Sequence, residues 1–155
     1  MRLLHRACIV CLFAIFATTV HASESLQVSD AWVPEAPPVA SVMAGYLAIH
    51  NPGAQDVTIS AVRSADFASV EMHETRMQDG MARMVRQDKL VIPAGKTVMF
   101  ERGGLHLMLM QPQRSFRMGD RIRFELVTSA GAVTFSAVVK AASLDGDKHD
   151  HHHHH

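Results

Sequence analysis

The sequence predicts an all-β single domain, an antiparallel β-sandwich or small barrel. Three observations carry this. Short runs rich in Val, Ile, Leu, Phe and Thr recur along the chain, and clusters of Gly, Pro, Asp and Asn separate them. The run "LHLMLM" at 105–110 alternates its side chains between two faces, as a strand does. No ten-residue stretch shows a helical period with caps.

The first segment, "MRLLHRACIVCLFAIFATTVHA", stands apart from that pattern. Arg2 and Arg6 precede an apolar run from Ala7 to Val20, and the segment closes on the small-x-small sequence Val20-His21-Ala22. This predicts a secretory signal peptide over residues 1–22, too short in its apolar part to span a membrane comfortably. No lipobox precedes Cys8 or Cys11, so lipidation and stable membrane insertion are not expected. Both cysteines leave with the signal, so the exported chain has no disulfide and no thiolate ligand.

The domain is expected over residues 23–142. Its predicted strands, in order, are 26–33, 42–51, 55–64, 69–75, 81–86, 89–94, 96–101, 105–110, 121–128 and 132–142. "VPEAPPVA", "NPGAQ", "QDG", "PAG", "RGG", "MGD" and "SAG" supply the turns between them. Trp32 and Tyr46 read as core anchors, Met72 as core by parity, and His50 as a strand-end surface residue. Without Arg2 and Arg6, 13 Lys and Arg face 15 Asp and Glu, a balance that suggests neither nucleic acid nor an anionic membrane as partner. The tail over 143–155 is polar and expected to be disordered; its His149 and His151 to His155 read either as a native metal-binding segment or as an expression tag.

The unusual entries in the composition are ten methionines and eleven histidines. Leu105, Leu107 and Leu109 form a core face, and His106, Met108 and Met110 lie on the opposite one. His106 and Met108, two apart on a strand, reach a common point above the sheet. Met110 shares their face but reads as packing. His73 in "SVEMHET" shares a face with Glu71 and Thr75, and "GMARMVR" supplies Met84. Two imidazoles and two thioethers from three segments suit Cu(I): thioethers are soft, neutral donors that give little to Zn²⁺, Mg²⁺ or Ca²⁺. A blue-copper electron-transfer centre is excluded, since it needs a thiolate. Each imidazole must be neutral to bind, so affinity falls as acid protonates it. Glu71 is a candidate partner to orient an imidazole.

The spacing His73, ten residues, Met84, twenty-one residues, His106, one residue, Met108 resembles that of the periplasmic copper chaperones of the PCu(A)C family. "DAWVPEAPP", "YLAIHNPG", "VEMHET", "IPAG" and "GGLHLMLM" extend the likeness over residues 26–141. The resemblance implies a cupredoxin-like β-sandwich or barrel holding one Cu(I), and a periplasmic protein that is not an enzyme. It also implies delivery to the CuA centre of cytochrome c oxidase, directly or through a thiol-containing partner chaperone. Some members of the family carry tails that take up Cu(II), which favours a native role for the histidines here. The expected state is a monomer. Two other functions share these ligands: a copper-sequestering or resistance protein, and a copper redox enzyme. A Met-rich set stabilises Cu(I) and disfavours the cycling such an enzyme needs, and no nucleophile–base pair or paired acid carboxylates support hydrolysis.

Overall fold

The computed structural model describes residues 25–142, so the expected signal peptide and the His-rich tail lie outside the described residues. Ten strands follow the predicted order: β1 (Gln27–Pro34), β2 (Val42–His50), β3 (Val57–Arg63), β4 (Phe67–Gln78), β5 (Met81–Arg86), β6 (Leu90–Ile92), β7 (Thr97–Phe100), β8 (Leu105–Pro112), β9 (Arg121–Thr128) and β10 (Gly131–Lys140). Among the described residues there is no helix, and so none long and apolar enough to cross a membrane. The largest boundary difference is at β4, which runs on to Gln78 where the sequence suggested an end at Thr75. The cause is the turn: Asp79 and Gly80 both have positive φ (53° and 76°), which makes a two-residue hairpin link that keeps the strands paired up to Gln78 and Met81.

The strands close into a seven-stranded barrel in the order β4-β8-β2-β1-β10-β9-β3, with β3 returning to β4 through Val62 and Val70. Closure leaves few free sheet edges. β5 and β6 flank β4 and β3 as outer strands, while β7 pairs with Leu47–His50 of β2, beyond the stretch Val42–Gly45 that pairs with β8. The fold is cupredoxin-like and antiparallel throughout, except that the first and last strands pair in parallel, with Trp32 opposite Val138.

The core fills the barrel with Leu47, Ile49, Ile59, Leu107, Leu109, Ile122, Leu126 and Val139. Phe116, Phe67, Phe124 and Phe135 form a stack with centroid separations of 5.4, 6.2 and 5.2 Å. Met72 is buried, as parity required. β2 approaches β8 closely at Gly45, where a Cβ would sit 3.3 Å from Cβ of Leu107. The absent side chain lets the strand that carries His106 lie tight against β2.

Asn51, fully buried, ties two turn motifs together. Its side-chain amide donates to the carbonyls of Gln55 and Ile92 at 2.7 and 2.9 Å, and its carbonyl accepts from the Gly53 N–H. "NPG" is therefore a clamp on β6, which satisfies a buried amide that would otherwise cost a few kcal/mol. His50 beside it hydrogen-bonds Thr97 Oγ1 at the strand end.

Trp32 and Tyr46 depart from expectation. Both are half-buried on the outer face, with ring centroids 5.0 Å apart. Asp30, at φ 52°, lies in an irregularity of register between Ser29 and Trp32. The extra residue reverses the alternation, turning Val33 into the core and Trp32 out. Met110 differs as well: it pairs with Ser69 and with the exposed Val42, and is only half-buried.

In the turn before β9, Asp120 accepts hydrogen bonds from the Arg117 N–H and the Arg114 guanidinium, each 3.0 Å long. The Arg117 bond first, then Arg114, hold its carboxyl below the usual range. A depressed carboxyl stabilises the fold above its unfolded pKa, near 3.9, and loses that contribution as pH falls through the folded value. Asp120→Asn is expected to melt at a lower temperature than the parent at pH 7, with the two curves converging as pH falls through the depressed carboxyl pKa. Parallel melting curves across the whole range would show that the carboxylate charge contributes nothing.

Candidate metal site

Three adjacent strands, β5, β4 and β8, position the four sequence-predicted residues. In the antiparallel ladder His73 of β4 stands directly opposite His106 of β8, and Glu71 directly opposite Met108. Residues opposite one another point to the same face. On the other side of β4, Thr75 pairs with Met84 and His73 with Arg86. All four therefore share one outer face, with Met84 and Met108 each one diagonal step from His73. The imidazole centroids are 6.1 Å apart and inclined by 37°.

Hydrogen bonds select the tautomers. Nδ1 of His106 lies 3.0 Å from the Gly104 carbonyl, which only accepts, so Nδ1 carries the proton and the Nε2 lone pair is free. The same carbonyl accepts the Thr75 N–H, anchoring the loop before β8 to β4. His73 donates from Nε2 to Glu71 Oε2 at 2.8 Å, which leaves a lone pair on Nδ1. That Nδ1 is buried and has no hydrogen-bond partner, alone in this among the buried side-chain nitrogens and oxygens of the described residues. A buried acceptor without a partner is costly, and a soft cation would satisfy it.

Glu71 holds more than His73. Its Oε1 accepts from Arg86 Nη1 at 2.7 Å, and Arg86 also reaches Asp88 at 3.2 Å. The hydrogen bond from His73 keeps the Glu71 carboxyl below the usual carboxylate range, against partial desolvation, and the Arg86 charge adds to this. The carboxylate thus stays ionised, fixing the imidazole's orientation and tautomer.

His106 is 7% exposed and Met84 64%, so the face offers one shielded donor and one wide open to solvent. Sequence reasoning missed three neighbours. Arg86 shares the face of Met84 by simple parity, a signal that was there to read. Trp32 and Tyr46 lie opposite each other on the same outer face, next to the row of His106 and His73, and only the bulge at Asp30 brings Trp32 there. Guanidinium Cζ of Arg102 and Nζ of Lys140 lie 5.6 and 5.8 Å from the Trp32 ring centroid.

Residues 26–139 match the protein family described as "Putative lipoprotein LpqE-like". The chain belongs to the LpqE-like family. This LpqE-like chain is 30% identical over 132 residues to "Putative lipoprotein Lxx21020" of Leifsonia xyli subsp. xyli (strain CTCB07), an alignment covering 84% of this chain and 78% of the relative. It is also similar to solved PCuAC domains. The "Copper-bound PCuAC domain from PmoF2" superposes with a TM-score of 0.65 at 24% identity, covering 78% of this chain and 97% of that one. The solution structure of CuI-DR1885 from Deinococcus radiodurans superposes with a TM-score of 0.58 at 29% identity, covering 72% and 76%. Its apo form gives 0.60 at 25% identity, covering 95% and 98%. The cupredoxin-like fold that the resemblance implied is the fold these domains share with the LpqE-like chain.

Proposed function

We propose that this LpqE-like protein is an exported, periplasmic copper chaperone. It holds one Cu(I) among His73, Met84, His106 and Met108 and passes it to a thiolate acceptor. The carrying observation is the pair of free imidazole lone pairs, one of them buried without a partner, on a face shared with two thioethers. Two neutral nitrogens and two neutral sulfurs suit Cu(I) and leave its single charge intact. Solved relatives are described as copper-bound and as carrying Cu(I), which supports the same cargo here.

The exposure of Met84 favours delivery over storage, because an incoming thiolate can reach the metal from that side. The acceptor's thiolates bind copper more tightly and drive the transfer. The CuA centre of cytochrome c oxidase, reached directly or through a thiol-containing chaperone, is the acceptor this reading favours. The histidines at 149 and 151–155 would collect Cu(II), leaving Cu(I) to the four-residue site.

The test is transfer. Full-length exported protein carrying one equivalent of Cu(I) is mixed anaerobically with an apo CuA domain, and the two are separated and assayed for metal. Copper is expected on the acceptor. Retention by the LpqE-like protein would make it a store, the sequestration reading.

A further inference from the structure

The hairpin of β4 and β5 carries three exposed methionines, Met77, Met81 and Met84, with exposures of 71%, 56% and 64%. All six residues of β5 are exposed, so none of these side chains fills a core gap. The Asp79-Gly80 turn fixes the register, and the register sorts the three. Met77 pairs with Ala82 and Thr75 with Met84, so Met77 and Met84 are diagonal neighbours on the face that carries His73. Met81 pairs with Gln78, one step out of phase, and points to the opposite face.

We propose that Met77 and Met84 form a transient foothold for Cu(I), through which the ion enters and leaves the four-residue site. Diagonal partners on a ladder lie about 7–8 Å apart at Cα, and two flexible thioethers can close that gap onto one soft cation. Ala82, opposite Met77, is small and leaves the space above it open. From Met77 the same face leads to Met84 and then to His73 and His106. Each step is a ligand exchange. One Cu–S bond to Met77 breaks as a Cu–N bond to an imidazole forms, and the metal remains Cu(I) with no electron or proton moved. Two neutral thioethers alone hold the ion weakly, which suits a way-station and not a resting place.

The inference rests on the reading of His73, Met84, His106 and Met108 as a Cu(I) site. The full-length exported chain, labelled with ¹³C at the methionine methyls, is titrated anaerobically with Cu(I). The rate of Cu(I) transfer to a bidentate chelator is measured for the parent, Met77→Leu, Met81→Leu and His106→Ala. The expected result is a Cu(I)-dependent shift of the Met77 methyl and none at Met81. Met77→Leu should slow transfer severalfold while holding the first equivalent as tightly as the parent, and Met81→Leu should match the parent in both. A first equivalent that depends on His106, with a silent Met77 methyl or equal rates for Met77→Leu and Met81→Leu, would overturn the foothold alone. A chain whose Cu(I) binding ignores His106→Ala would overturn the site and the foothold together.

Discussion

His106→Ala is expected to lower the affinity for Cu(I) by more than about 100-fold, beyond the 10–100-fold range typical of losing an outer-shell partner. In the proposed site the change removes one of two nitrogen donors and leaves one imidazole with two weak thioethers. The fold should hold. The Gly104 carbonyl that accepts from His106 also accepts from the Thr75 N–H, so the loop stays anchored, and the lost hydrogen bond costs about 1 kcal/mol. Competition against a chromophoric Cu(I) ligand reads the affinity, and thermal melting reads the fold. His50→Ala serves as a control: its ring is engaged with Thr97 at a strand end, so its affinity should equal the parent's. Equal affinities for His106→Ala and the parent would remove the strand-borne site and leave only the tail histidines to bind metal.

Phe124→Ala has the largest expected effect on stability, a loss of about 3–5 kcal/mol. Phe124 is 1% exposed and sits in the middle of the ring stack, 6.2 Å from Phe67 and 5.2 Å from Phe135. Its removal forfeits the apolar burial of one ring and the stacking contact of two others, and a closed barrel relaxes poorly around a gap. Against a total stability of about 5–15 kcal/mol, that brings the chain close to unfolding at moderate temperature. Urea unfolding measures it directly. A loss below about 1 kcal/mol would show that the interior collapses onto the gap and that the stack is not central to the core.

Much of this was legible in the residues. Period-two alternation and turn clusters marked all ten strands in order, because a strand's inward and outward faces are written residue by residue. The shared face of His106 and Met108, and that of Glu71 and His73, followed from the same parity. The bulge at Asp30 was not legible. Positive φ is uncommon outside glycine and turns, nothing in "VSDAWV" marks Asp30 for it, and a single extra residue reverses every assignment after it. Trp32 therefore left the core, where its size alone would have put it. Met110 left it too, because its burial depends on what its two neighbouring strands present beside it.

By itself, the sequence determined the strand menu, the donor types and their placement on strand faces, since these are local properties of backbone and side chain. The tertiary structure alone decided which strands are neighbours: β4 beside β8, so that His73 meets His106, and β5 beside β4, so that Met84 joins them. It also decided which nitrogen of each imidazole keeps its lone pair. The strand neighbours depend on hydrogen bonds between segments far apart in the chain, which no local pattern encodes, while the lone pairs depend on contacts only two residues away, to Glu71 and Gly104, whose geometry the folded strands set.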